Sequence, residues 1–134
     1  NTTAVVSGKH IMKINDLTGA VIGAAIEVHK ELGPGLLESI YEECLSREIE
    51  LRKIPFKRQV AIPIQYKGSE VESNFRLDMI IDDRLILELK SCETLLPIHE
   101  AQLLTYLKLT KTQLGLLINF NVRVLKDGIK RLIT

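Results

Sequence analysis

Two short apolar runs separated by a pair of aspartates constrain this chain more than any other feature in it. Arg76-Leu77-Asp78-Met79-Ile80-Ile81 and Leu85-Ile86-Leu87-Glu88-Leu89-Lys90 are rich in strand formers, and Asp82-Asp83 is a turn signal. Together they read as a β-hairpin. Side chains alternate across a strand, so Glu88 and Lys90 share one face and Leu85, Leu87 and Leu89 the other. Asp78 likewise lies opposite Phe75, Leu77, Met79 and Ile81. If the strands pair, the two acids can sit side by side. A carboxylate in so apolar a strand is costly to bury without a partner.

The rest of the chain supplies the cover for such a hairpin. Asn15-Asp16 can cap a helix that runs to about Leu32, with Leu17, Val21, Ala24, Ala25, Val28 and Leu32 at helical spacing. Gly33-Pro34-Gly35 breaks it, the second glycine being expected where two helices turn too closely for a side chain. A second helix spans roughly Leu36 to Arg52, with a stripe of Leu37, Ile40, Tyr41, Cys44, Leu45 and Ile49. After Pro55, Arg58 to Tyr66 alternates and reads as a strand with Pro63 near an edge or bulge. Lys67-Gly68 marks a turn, followed by strands over Glu72 to Ile81 and Arg84 to Lys90. A helix is expected from about Ile98 to Leu109. Gln113 to Asn119 is almost continuously apolar, as suits a strand covered on both faces. Arg123 to Leu125 reads as a short strand, and the tail from Gly128 as short and basic. The strand–helix–strand passage implies a parallel pair in a mixed sheet. The fold class is therefore α/β, bordering on α+β: a central mixed β-sheet flanked by α-helices.

A chain of 134 residues, 46% apolar and 26% charged, suits one globular domain with one core. We place that domain at residues 12–134, with Met12 a candidate natural start and residues 1–11 an N-terminal extension of little pattern. Aromatic residues are scarce and Trp is absent, which weakens readings that need many stacking platforms. The net charge of +1 gives no global signal, but residues 107–134 carry six basic side chains against Asp127. That segment is a candidate phosphate contact or a solvated surface. Cys44 and Cys92 show no metal-ligand spacing and suggest no disulfide scaffold, which fits an intracellular setting. No apolar run has the length to span a bilayer and no signal-peptide pattern opens the chain, so a cytoplasmic protein without membrane contact is expected.

Two neighbouring carboxylates repel, and one tends to take up a proton. A divalent cation removes that conflict, and oxygen-only donors point to Mg²⁺ or Mn²⁺ rather than zinc. Lys90 could then orient the attacking water and stabilise developing negative charge. The plainer alternative is an exposed face on which Lys90 neutralises Glu88. Glu38 and Tyr41 share a face of the second helix. Gln102 and Tyr106 share one on the third, with His99, and Gln102 interrupts an apolar stripe of Ile98, Ala101, Leu104 and Leu107. His29 is either a substrate contact or an interface histidine.

These segments also carry a resemblance. Gly35-Leu-Leu-Glu38-Ser-Ile-Tyr41, Asp78, Glu88-Leu-Lys90, Gln102-Leu-Leu-Thr-Tyr106 and Gly115-Leu-Leu-Ile-Asn-Phe occur in the order seen in the bacterial GxxExxY family of the PD-(D/E)XK nuclease superfamily. The chain resembles that family from about Met12 to Thr134. The likeness implies a restriction-endonuclease-like core and a metal-dependent nuclease acting on DNA. It implies Asp78, Glu88 and the Leu89 carbonyl as metal ligands, Lys90 as catalytic, and Glu38 as the helical acid that completes the site. Gln102 and Tyr106 resemble the Gln-x-x-x-Tyr element of RecB-like nucleases, which supports the site and contacts DNA. Tyr41 and His29 are further candidate substrate contacts. Leu77 stands where the motif's name has Pro. Two other readings stay open: a structure-selective nuclease of the Holliday-junction type, and a non-catalytic binding module on a nuclease fold. With no second domain to read a target, a protein partner or a homodimer is expected.

Overall fold

The computed structural model describes residues 4–6 and 9–134, with side chains from Met12 onward. Helices α1 (Ile14–Leu32) and α2 (Glu38–Leu51) come first in the main body. Strand β3 (Phe56–Ala61) then leads into a small hairpin of β4 (Ile64–Tyr66) and β5 (Ser69–Val71). Strands β6 (Arg76–Ile81) and β7 (Leu85–Lys90) follow, then α3 (Pro97–Thr110), β8 (Leu114–Asn119) and β9 (Ile129–Ile133). Ahead of α1, β1 (Ala4–Val6) and β2 (Lys9–Ile11) pair antiparallel, so the N-terminal stretch that reads as patternless contains strands.

The central sheet has the order β3-β6-β7-β8-β9. Only β7 and β8 run parallel, linked through α3 as the strand–helix–strand pattern requires. The expected hairpin is present: Ile81 pairs with Leu85, and Asp82 and Asp83 both take positive φ, 53° and 55°. Aspartate tolerates that conformation better than most residues. β8 is buried along its whole length, as its unbroken apolar run anticipates.

Two apolar clusters hold the layers together. The larger joins Leu17, Val21, Leu45 and Ile49 of α1 and α2 to Leu85, Leu87 and Leu89 of β7 and to alternate residues of β8. The smaller joins Leu103, Tyr106 and Leu107 of α3 to Ile86, Leu117, Leu77 and Ile62. Among the described residues no helix is long and apolar enough to cross a membrane.

The structure corrects several local expectations. α1 starts after Lys13 with no side-chain cap, so Asn15 and Asp16 lie inside its first turn. Leu37 and Ile40 are exposed rather than part of the α2 stripe. On α3 the buried residues are Leu103, Tyr106 and Leu107, while Ile98 and Ala101 face solvent. The single strand expected over Arg58 to Tyr66 is two strands in two sheets, because the chain leaves the ladder at Ile62-Pro63 and proline cannot donate to it. Gly35 has open space around its α-carbon, so its φ of +95°, not crowding, calls for glycine. In place of a strand at Arg123 to Leu125 there is a 3₁₀ turn, Leu125–Gly128, and the basic tail forms edge strand β9. Gly128 passes so close to the Asn119 carbonyl that any β-carbon would collide with it.

Candidate active site

The β6–β7 ladder ends at Met79 and Leu87. At the next step the backbone bonds are replaced by side chains. The Asp78 N–H donates to Glu88 Oε1 at 3.2 Å, and the Leu89 N–H donates to Asp78 Oδ2 at 2.8 Å. Each acid thus holds the strand opposite, and the two carboxylates are locked side by side.

The other neighbour of β6 is distorted at the same level. Arg58 pairs with Met79 and Val60 with Leu77, so Gln59 stands opposite Asp78, outside the ladder, with φ +49°. A bulky residue in the left-handed region is uncommon and costs energy. It is held by Glu42 of α2, a buried acid that accepts from Gln59 Nε2 at 2.7 Å and from Arg58 Nε at 3.0 Å. β6 bends there: Leu77 and Met79, nominally on one face, belong to different apolar clusters.

Burial sets the electrostatics. Glu88 is 6% exposed, and desolvation followed by the Asp78 charge pushes its pKa up to about 8, against the Asp78 N–H and the Lys90 ammonium. Asp78 is raised as well, first by burial, with Glu42 and Glu38 adding to it and the Leu89 N–H and Lys90 opposing. The Glu38 charge thus acts on both members of the pair, opposed by Lys90, while Glu42, itself paired with Arg58, acts on Asp78. The Tyr106 hydroxyl is raised by burial and then by Glu88 and Asp78, with a hydrogen bond from the Gln102 side chain working the other way. Tyr106 packs with Leu77 and Ile86, the neighbours of the acid pair on β6 and β7, and Gln102 lies beside Tyr106.

Glu38 lies on the flank, its Oε2 accepting from the Ser91 N–H at 3.3 Å. Ser91 Oγ in turn donates to the Leu36 carbonyl at 2.5 Å. The segment after Lys90 is also fastened by Asn119, which accepts from the Cys92 N–H at 3.1 Å and donates to the Cys92 carbonyl at 2.9 Å. The Phe120 N–H donates to the Lys90 carbonyl at 2.9 Å.

Among the described residues, no three His, Cys, Asp or Glu side chains converge closely enough to form a ligand group on their own. What converges is a pair. Asp78 and Glu88 each spend one oxygen on backbone, and the described hydrogen bonds leave Asp78 Oδ1 and Glu88 Oε2 without a partner. A buried carboxylate and a half-buried one, each with a free oxygen, fit a hard divalent cation.

The family model of the PD-(D/E)XK nuclease superfamily matches residues 15–132, a span that contains all of these side chains. The chain belongs to the PD-(D/E)XK nuclease superfamily. No curated protein and no solved structure matches it. PD-(D/E)XK nucleases are generally divalent-metal-dependent, in keeping with the charge deficit at Asp78 and Glu88. The mixed five-stranded sheet with flanking helices is consistent with their restriction-endonuclease-like fold.

Not every candidate from the sequence is brought to the acid pair. Tyr41 is fully buried, stacked on Phe120 at 4.4 Å, and its hydroxyl donates to the Gly33 carbonyl at 2.6 Å while accepting from the Leu36 N–H. It braces the α1–α2 turn and leaves no surface for a substrate. His29 is buried too, with Nε2 at 2.7 Å from the Val122 carbonyl. His99 accepts from the Leu96 N–H at the start of α3. Sequence reasoning missed Glu42, Gln59, Ser91 and Asn119. Only Glu42 carries a readable signal, since it lies four residues after Glu38 and so on the same face of α2.

Proposed function

We propose that this PD-(D/E)XK protein is a metal-dependent nuclease that hydrolyses phosphodiester bonds in DNA, with residues 12–134 as one domain of the GxxExxY kind. The interlocked pair of Asp78 and Glu88 carries this reading, because a buried and a half-buried acid held by each other's strands are costly unless positive charge joins them. Asp78 and Glu88, with the Leu89 carbonyl beside them, would hold Mg²⁺ or Mn²⁺, which when bound acidifies its water and neutralises charge at the phosphate. Lys90 follows Glu88 on the same strand face and is assigned to orient the attacking water and to stabilise charge developing on the phosphate oxygens. Its backbone is pinned to β8 through Phe120, so the ammonium is presented from a fixed stem. Glu38 sets the turn after Lys90 through Ser91 and is a further acid at the edge of the pair. Gln102 and Tyr106 are assigned to support Glu88 and to touch the substrate.

Cleavage of single- and double-stranded DNA in Mg²⁺ or Mn²⁺ tests the assignment. Asp78→Ala and Lys90→Ala are each expected to lose about a hundredfold or more in rate. Calorimetry should show Mn²⁺ binding lost in Asp78→Ala and kept in Lys90→Ala. Activity that persists in both variants removes the assignment. An absence of metal binding that depends on Asp78 and Glu88 favours a non-catalytic module instead.

A further inference from the structure

Among the described residues, half of the large apolar side chains that the fold leaves exposed lie toward one end of the sheet. The topology fixes that end: β7 and β8 finish there, β6 and β9 begin there, and β3 leaves there into the arm formed by residues 62–75. Asp78, Glu88 and Lys90 open at the same end. Leu37 and Ile40 stand at the start of α2, 74% and 44% exposed. Leu96 and Ile98 stand at the start of α3, and Tyr66 and Phe75 lie on the arm, 63% and 50% exposed.

These segments carry little positive charge. The arm has Lys67 against Glu70 and Glu72, the turn into α2 has only Glu38, and the passage into α3 has Glu93 and no Lys or Arg. Exposed cations at this end lie elsewhere: Arg76 begins β6 beside Phe75, and Arg123 and Lys126 stand in the connection between β8 and β9. Lys108 and Lys111 lie at the far end of α3, and Lys130 is paired with Glu100 at 2.8 Å.

We propose that this rim binds an unpaired strand of nucleic acid, its bases against the apolar side chains and its backbone over Asp78 and Glu88; the proposal rests on the nuclease reading of the site. A duplex presents phosphates and sugars on its outside and asks for cations. An unpaired strand presents base faces, which stack on aromatic and apolar groups while a few cations follow its backbone. A protein spread over this end of the sheet would cover the opening of the acid pair and shut out substrate. Phe75 is the central platform. Its ring sits 6.3 Å from that of Tyr106 at an angle of 53°, with half its surface still open. Tyr106 packs with Leu77 and Ile86, which adjoin Asp78 and Glu88 on β6 and β7, so a base on Phe75 lies next to the nucleotide at the acids. The few aromatic residues of this chain thus include one placed at the mouth of the site.

Fluorescence anisotropy tests this with labelled oligonucleotides of equal length: single-stranded DNA, single-stranded RNA and duplex DNA. Ca²⁺ stands in for Mg²⁺, and gels verify that the strands stay whole. Single strands are expected to bind about tenfold or more tightly than the duplex, and comparing the DNA and RNA arms tells which sugar the rim prefers. Phe75→Ala should lose about tenfold for single strands and leave duplex binding unchanged, while Phe75→Trp keeps single-strand binding. Circular dichroism and the thermal midpoint verify the fold. Leu37→Ser, at an exposed position, is a second probe that should weaken single-strand binding in the same direction. Duplex binding as tight as single-strand binding overturns the proposal, and so does single-strand binding unchanged in both Phe75→Ala and Leu37→Ser. Single-strand binding without any cleavage supports it while overturning the nuclease reading. Cleavage selective for duplex does the reverse.

Discussion

On one face of β7, Leu85, Leu87 and Leu89 lie in the larger apolar cluster beneath α1 and α2. On the other, Ile86 meets α3 in the smaller cluster, and Glu88 and Lys90 take the two remaining places. Two long helices cover the first face from end to end. A single helix covers the second, and its apolar contacts stop one residue short of Glu88. Past that point the strand is dry enough to shift a carboxylate and open enough to admit a substrate. One strand can therefore serve as the centre of the core and as the floor of a site, provided its two covering layers differ in reach.

The comparison can be broken from either side. Leu87→Ala on the covered face should cost about 3 kcal/mol in urea unfolding, from lost burial and the cavity left behind. It should leave the pH dependence of stability unchanged. A loss below about 1 kcal/mol would mean that the two faces are less different than they look.

Glu88 should set the pH dependence instead. Its pKa is 4.5 in the ordinary state and about 8 in the folded chain. The folded chain thus holds a proton that the unfolded chain has already released. The stability this contributes is full below about pH 4.5 and is lost as pH rises to about 8. In chelator the unfolding free energy should fall with rising pH by up to about 1.4 kcal/mol per unit in that window. Asp78 is raised as well, and its contribution has the same sign. Glu88→Gln should flatten the slope and be more stable than wild type at pH 8. A wild-type slope equal to that of Glu88→Gln would show that the open face is wetter than its burial implies.

The smallest effect is expected at Gln59. Gln59→Gly relieves a left-handed conformation and removes a hydrogen bond to Glu42. The two changes oppose one another, and stability should move by less than about 1 kcal/mol. A larger loss would assign the bend opposite Asp78 to the Gln59 side chain rather than to its backbone.

The two faces also differ in how readily they are read from sequence. β7 and β8 are legible because apolar runs of this length, bounded by turn residues, admit few alternatives. Asp78, Glu88 and Lys90 stand out because they interrupt such runs. The arm and β9 are less legible. Residues 58–66 alternate like one strand, yet the chain leaves the sheet at a proline, and Lys130-Arg131 hides an edge strand in a charged tail. The supports of the site are the least legible. Gln59 matters through its φ, and Asn119 through the loop it ties down, and neither property shows in residue type. Tyr41 and His29 show the reverse: residue types suited to a site that the fold spends on bracing.

The reciprocal bonds between β6 and β7 have a spectroscopic consequence. The Asp78 amide proton rests on the Glu88 carboxylate, and the Leu89 amide proton rests on that of Asp78. Each acid therefore has its own reporter on the neighbouring strand. In a nitrogen–proton correlation spectrum the two resonances should move separately as the pair takes up its two protons. A coupled titration that bulk stability records as one broad slope would then resolve into two curves, each assigned by the chain itself.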